Sequence, residues 1–199
     1  AWYAEASHLF IKSFAEHALK DLGRRVSVVH LRRDPVEVAA SMARLPEIPG
    51  TPEGARWYLD WRLDGNLVVA RDLLEDGAAF DGAFDRCLWY WYEIEARVRR
   101  FREEHPRIPV HEFSWSERID PARVCELLDR LGLEHDSRCV AEVCEVRVNT
   151  KADEKRAFAT RAPKEHGDDL RTLRARHAEF RARLSERIPD LPEFAAGGD

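Results

Sequence analysis

Residues 26–41 read VSVVHLRRDPVEVAAS, an apolar run followed by two arginines and an Asp-Pro pair. The run over residues 26–31 is rich in β-branched residues and predicts a buried strand of a parallel sheet. Asp34 is a favoured N-cap residue, and Pro35 suits the first position of a helix. The sequence therefore predicts a strand, then the two arginines, then a helix that runs to about residue 45.

This turn from strand to helix has the features of an anion site. A helix N-terminus offers unpaired backbone N–H groups and the positive end of the helix dipole. Arg33 adds a guanidinium fork suited to phosphate, and Ser41 offers a hydroxyl on the second turn. The residues leave a second interpretation open, in which an arginine pairs with Asp34 or Glu37 and Ser41 simply faces solvent.

The rest of the chain alternates between strands and helices. Further strands are expected over residues 2–5 and 108–113. Further helices are expected over residues 7–22, 54–74, 84–104, 121–131, 137–146 and 168–187. Such alternation predicts an α/β fold of three layers with a parallel central sheet, in which ligands bind at the carboxyl ends of the strands. We expect a single domain over residues 1–192 and a flexible tail over residues 193–199.

Composition excludes several classes of protein. With 44% hydrophobic residues the 199-residue chain is too apolar to be disordered, and a net charge of −5 is not that of a general nucleic-acid binder. No apolar run approaches the roughly 20 residues of a membrane span. Four cysteines without a C-x-x-C pair predict buried reduced thiols and no metal site, as in a cytoplasmic protein. Arg makes up 27 of the 32 basic residues, which is typical of a GC-rich bacterial genome.

The motif after the strand resembles the 3′-phosphate-binding motif of the sulfotransferase family, whose donor is 3′-phosphoadenosine 5′-phosphosulfate. The family pattern is an apolar strand, Arg, Asp or Asn, Pro, and a Ser eight residues after the Arg; Arg33, Asp34, Pro35 and Ser41 fit it. The resemblance implies a three-layer P-loop-like fold. It also implies that Arg33 and Ser41 hold the 3′-phosphate of the donor, with Arg32 beside them, and it calls for no metal.

A second segment, Tyr3-Ala4-Glu5-Ala6-Ser7-His8, is similar to the family segment that carries the catalytic base. An alcohol is a poor nucleophile at neutral pH, so a base must remove its proton as the bond to sulfur forms. The resemblance implies that Glu5 is this base, with His8 as the alternative. A carboxylate that merely complements a helix dipole is the other interpretation of Glu5.

The chain also departs from the family pattern. After the strand over residues 108–113 it has Phe113-Ser114-Trp115-Ser116 where the family has Tyr-Glu-Asp-Leu. The 199 residues contain no G-x-x-x-x-G-K-[ST] or Ser-Gly-Thr-Thr loop for the 5′-phosphosulfate, so an N-terminally truncated domain is expected. Lys151 lies about where a late nucleotide-binding loop would fall, although a solvated charged loop is the plainer interpretation.

The expected function is transfer of a sulfuryl group to a hydroxyl or amine of a small-molecule or glycan acceptor. The alternative is a degenerate, non-catalytic binding domain of the same fold, and a P-loop kinase relative is a third reading based on fold analogy alone. The aromatic residues at helical spacing are expected to pack in the core rather than line an acceptor pocket. These are Trp57, Trp61, Trp89, Tyr90, Trp91 and Tyr92.

Overall fold

A computed structural model describes residue 4 and residues 9–114, 119–146, 169–188 and 190–193. Within them lie seven α-helices and two β-strands. In chain order they are α1 (Ala15–Leu22), β1 (Val28–Arg32), α2 (Pro35–Met42), α3 (Arg71–Leu74), α4 (Ala83–Glu104), β2 (Val110–Ser114), α5 (Pro121–Arg130), α6 (Ser137–Glu145) and α7 (Leu170–Ser185). A π-helical turn, Phe10–Phe14, precedes α1. The strand expected over residues 2–5 falls outside the described residues apart from Ala4.

Helix α4 is the centre of the core. Its length and position match the prediction, and most of its side chains are buried, including Trp89 and Tyr92. Helix α2 packs along it, and α7 covers it with Phe180 and Leu184. The expectation that the aromatic residues form the core is confirmed for five of the six; Trp57 is exposed instead.

The two strands pair in parallel, as expected. Val28 lies opposite Val110, and the register continues to Arg32 opposite Ser114. Both strands lie slightly later in the chain than the apolar runs suggested. Parallel pairing with a long crossover through α4 makes the chain a mixed helix-and-strand protein built on a βαβ connection.

The prediction that β1 is a buried strand is confirmed for one face only. His30 points toward α4 and is buried, whereas Val29 and Leu31 lie on the opposite face and are 41% and 58% exposed. Successive side chains of a strand point to opposite faces, so a cover on one face leaves the other open. Within the described residues, the covered face of β1 is the face that is turned toward α4.

The prediction of a helix over residues 54–74 is also wrong. The segment has a 3₁₀ turn at Gly54–Arg56 and the short α3 at its end, with irregular chain between. The cause lies in α4: the buried carboxylate of Glu93 accepts the backbone N–H groups of Leu67 at 3.0 Å and Val68 at 2.8 Å. Trp89 Nε1 donates to the carbonyl of Val68 at 2.8 Å. Backbone groups bonded to α4 in this way cannot form the ladder of a local helix.

The remaining helices follow the sequence signals. Asp120 and Asp136 cap α5 and α6 through backbone N–H groups two residues on, at 2.9 and 2.8 Å. The thiols are all free, but only Cys87 is buried, and Cys139 is exposed, so the expectation of four buried thiols is wrong. None of the helices in the described part of the chain is long and apolar enough to cross a membrane.

Candidate functional site

The two consecutive arginines at the end of β1 point to different partners. Arg32 lies on the α4 face of the sheet, where its Nε stands 2.8 Å from Glu95 Oε2. Arg33 follows the strand and turns to the first turn of α2, where it meets Glu37. The structure therefore places Arg32 in a buried cluster on α4 and leaves Arg33 at the expected anion site.

Arg33 is held loosely at the start of α2. Its Nε and Nη2 both donate to Glu37 Oε2 at 3.0 Å, and its side chain is 45% exposed. Its backbone carbonyl accepts a hydrogen bond from Trp91 Nε1 of α4 at 3.2 Å, which fixes the main chain. Exposed ion pairs of this kind contribute about 0–1 kcal/mol. A phosphate could therefore replace Glu37 on the guanidinium at little cost.

Ser41 lies one helical turn beyond Glu37. Residues four apart on a helix share a face, so the exposed Ser41 extends the row that begins with Arg33 and Glu37. Ser41 lies eight residues from Arg33, about 12 Å of helix rise, so an anion shared by the two would have to lie between their side chains.

Asp34 limits how an anion could approach the helix N-terminus. Its Oδ1 accepts the backbone N–H of Glu37 at 3.0 Å, and its Oδ2 pairs with Arg174 of α7 at 3.1 Å. Two carboxylates and two guanidiniums thus already balance their charges here. The second interpretation from the sequence, an arginine paired with Glu37 and an exposed serine, describes this geometry.

The sequence reasoning missed a buried polar cluster on the other side of β1. His30 Nε2 lies 2.9 Å from Glu95 Oε1, and the other oxygen of Glu95 meets Arg32. At the exposed edge of the cluster, Glu112 of β2 accepts from Arg102 Nη1 at 2.6 Å and stands 3.9 Å from Arg32. A signal was present: two polar residues two apart in a strand share a face, and a buried face of that kind requires a carboxylate partner.

The electrostatics of this cluster follow from its pairing. Burial raises the pKa of the Glu112 carboxyl, but the hydrogen bond and charge of Arg102 and the charge of Arg32 lower it by more, so the net pKa lies below 4.5. Beside the cluster lies a cleft of about 450 Å³, whose far wall is residues 190–193. Arg32 donates across it to the carbonyl of Glu193 at 2.5 Å. The charges of the polar cluster are largely paired. The cluster therefore fits a structural role, in which it joins the sheet, α4 and residues 190–193.

A third group of polar side chains meets between α1 and the end of α4. The ligand-type atoms of Glu16, Glu104 and His105 lie within 4.8 Å of one another. They are largely exposed, and His105 already pairs with Glu16 at 2.9 Å while Arg100 pairs with Glu104 at 2.6 Å. Two carboxylates and an imidazole are possible cation ligands that the sequence reasoning did not place together.

Three of the expected site residues lie outside the described residues. They are Glu5, His8 and Lys151. Their roles as base and as late nucleotide contact stay predictions.

Comparison with known proteins finds no relative: no family model, curated protein or solved structure matches the chain.

Proposed function

We propose that this protein is a sulfotransferase that uses 3′-phosphoadenosine 5′-phosphosulfate and has the three-layer P-loop-like fold of that family. The observation that carries the proposal is the row formed by Arg33, Glu37 and Ser41 at the carboxyl end of β1. Ligands of open parallel sheets bind at that end of the strands. The acceptor is a hydroxyl or amine of a small molecule or a glycan.

In this proposal the 3′-phosphate of the donor replaces the Glu37 carboxylate on Arg33. The guanidinium then gives two parallel N–H donors to two phosphate oxygens, and the Ser41 hydroxyl donates to the same group. Asp34 keeps its place as helix cap, since its bond to the backbone of Glu37 is independent of the Glu37 side chain. The proposal thus assigns the 3′-phosphate end of the donor to Arg33 and Ser41.

The reaction itself needs a base at the acceptor. The acceptor oxygen attacks sulfur, the bond from sulfur to the nucleotide 5′-phosphate breaks, and the acceptor proton passes to Glu5, with His8 as the alternative. The leaving group is adenosine 3′,5′-bisphosphate. Changing Glu5 to Gln should lower turnover by about 10²–10⁴-fold and leave nucleotide affinity nearly unchanged.

Nucleotide binding is the direct test. Arg33→Ala should weaken binding of adenosine 3′,5′-bisphosphate by about 1.5–3 kcal/mol, or roughly 10- to 150-fold in Kd by calorimetry. Binding of adenosine 5′-monophosphate, which lacks the 3′-phosphate, should change little. The matched control is Arg130→Ala, because Arg130 also forms an exposed ion pair four residues away on a helix, with Glu126. Equal affinity of wild type and Arg33→Ala for the bisphosphate would overturn the assignment.

A second function is favoured by the pairing of Arg33 with Glu37. A relative that has lost catalysis can keep the fold and fill its anion site with its own carboxylate, and so serve as a binding domain. One assay distinguishes the two functions. Sulfuryl transfer that depends on the donor supports the enzyme, whereas nucleotide binding without turnover by the natural protein supports the binding domain.

A further inference from the structure

Lys12 lies in the turn Phe10–Phe14, half-buried against the aromatic side of α4. Its Nζ donates to the hydroxyl of Tyr90 at 3.3 Å. It also stands 5.8 Å from the centre of the Tyr58 ring and 5.6 Å from that of Tyr90, within the range of cation–π contacts. The ammonium group is therefore held by aromatic side chains.

The charge of Lys12 lacks a carboxylate partner within the part of the chain that the structure describes. Burial lowers the pKa of Lys12, the charge of Arg97 lowers it further, and the result is about 8. Burial and the neighbouring positive charge thus both disfavour the charged form of Lys12. An anion placed beside it would favour that form.

The other charges around Lys12 are already paired. Arg97 donates to the buried Glu93 at 2.6 Å, and Arg100 donates to Glu104 at 2.6 Å. Glu16 stands one turn from Lys12 on the chain, but its carboxylate meets His105 at 2.9 Å instead. Among the described residues that line this region, Lys12 is thus the cation that a ligand could neutralise without breaking an existing pair.

Lys12 also lines a cleft of about 220 Å³ between the start of α1 and α4. Its walls include the apolar side chains of Ile11, Leu67 and Phe101. The walls also carry Glu16, Arg97, Arg100 and Glu104, but each of these charges already has a partner. Lys12 is therefore the lining charge that has no carboxylate partner among the described residues. In such a site the apolar side chains supply affinity and the uncompensated charge sets the orientation of the ligand.

We propose that this cleft binds a small amphipathic anion, a ring or short aliphatic body that carries a phosphate or carboxylate, with Lys12 as the group that holds the anion. The body packs between Ile11, Leu67 and Phe101, and the anion pairs with the Lys12 ammonium. Tyr90 is not part of the cleft wall; its hydroxyl accepts the hydrogen bond from Lys12. The site is independent of the nucleotide site proposed at Arg33.

Lysine labelling with phenyl phosphate as the probe tests the site. Reductive methylation with formaldehyde and cyanoborohydride near pH 8 reacts with the neutral amine, and mass spectrometry of peptides reports each lysine separately. At pH 8 about half of the Lys12 amine is neutral, and an anion that raises its pKa by one unit leaves about a tenth neutral, so phenyl phosphate should slow the methylation of Lys12 about fivefold. Lys20, exposed on α1, is the internal control and should be unaffected.

Two further measurements show which parts of the ligand are required for binding. Inorganic phosphate and phenol, each alone, should protect Lys12 much less than phenyl phosphate, because each lacks one half of the amphipathic ligand. By calorimetry, Lys12→Gln should lose phenyl phosphate binding, and Lys20→Gln should keep it. Equal labelling of Lys12 with and without phenyl phosphate, or equal protection of Lys20, would overturn the proposal.

The result does not depend on the proposed enzyme. Arg33→Ala should leave the protection of Lys12 by phenyl phosphate unchanged while it weakens adenosine 3′,5′-bisphosphate binding. Failure of the labelling test with intact nucleotide binding would remove this site alone. Failure of nucleotide binding with intact protection would remove the sulfotransferase proposal alone.

Discussion

Arg33 donates two hydrogen bonds to a single oxygen of Glu37, both at 3.0 Å, across one turn of α2. The guanidinium that the sequence predicts to hold a phosphate is thus held by a carboxylate of the helix that follows it. The two charges are exposed enough for water to weaken their attraction, so the pair is a competitor for a ligand rather than a fixed part of the fold.

The first prediction follows from this competition. Glu37→Gln should strengthen the binding of adenosine 3′,5′-bisphosphate about 1.5- to 5-fold, because it removes the 0.2–1 kcal/mol of an exposed pair and a negative charge beside the phosphate. The helix cap survives, since Asp34 bonds the backbone of residue 37. Calorimetry measures the effect, with Glu126→Gln on α5 as the matched control. Weaker binding in Glu37→Gln would instead mean that Glu37 orients Arg33 for the ligand.

Local signals predicted the region around Arg33 well. The Asp-Pro start of α2 and its cap depend on residues close in sequence. The same holds for the caps of α5 and for the span of α4, whose apolar positions recur over six turns. These features could be read from one segment at a time.

What the sequence did not predict depends on contacts between distant segments. The Glu93 carboxylate takes backbone groups 25 and 26 residues away and keeps residues 54–74 from forming one helix. His30 and Glu95 are 65 residues apart and meet only once α4 lies on β1. A propensity computed along the chain does not predict either contact, since both form only when α4 packs against the rest of the protein.

The second prediction concerns pH. Burial lowers the pKa of His177 below 6.5, with a smaller opposing effect of Asp34. Burial raises the pKa of Tyr92 to about 12, so Tyr92 keeps its proton, and its hydroxyl lies within hydrogen-bond distance of His177 Nε2, at 2.7 Å. Between the lowered pKa and 6.5 the unfolded chain binds more protons at this site than the folded one, so stability decreases as pH falls through that window.

Replacing the titratable His177 should reduce this dependence of stability on pH. His177→Gln keeps a polar partner for Tyr92 but cannot be protonated, so the loss of stability from about pH 7.5 to 5.5 should be smaller than in the wild type. Urea denaturation at several pH values measures it. The exposed His17 provides the control as His17→Gln. An unchanged slope in His177→Gln would show that other groups set the acid sensitivity.

The third prediction concerns a turn that only glycine fits. Gly50 has a φ of +80°, and a Cβ built on it would lie 1.7 Å from a ring carbon of the buried Trp61. Gly50→Ala must therefore either strain the backbone or displace the indole. We expect a loss of about 1–3 kcal/mol or more in unfolding free energy. Gly77→Ala is the control, because Gly77 has a similar φ of +82° but nothing within 4 Å of its added Cβ. Similar losses in both variants would assign the cost to the backbone alone.

The last prediction separates a buried ion pair from an exposed one. Arg176 of α7 donates to both oxygens of Asp85 on α4, at 2.7 and 2.6 Å, and Asp85 is only 1% exposed. Arg187, just beyond α7, makes an equally short pair with both oxygens of Asp72, but that carboxylate is 67% exposed. Water can replace Arg187 on Asp72, whereas it has little access to Asp85.

Removing each arginine should therefore have unequal effects. Arg176→Met leaves a buried carboxylate without its partner and should cost about 3–5 kcal/mol of unfolding free energy, with the lower end favoured because Arg176 itself is partly exposed. Arg187→Met should cost about 1 kcal/mol or less. Adding Asp85→Asn to Arg176→Met should recover part of the loss, since the buried charge is then gone. Equal costs for the two arginines by urea denaturation, or no recovery in the double variant, would show that Arg176 acts through packing on Phe80 rather than through Asp85.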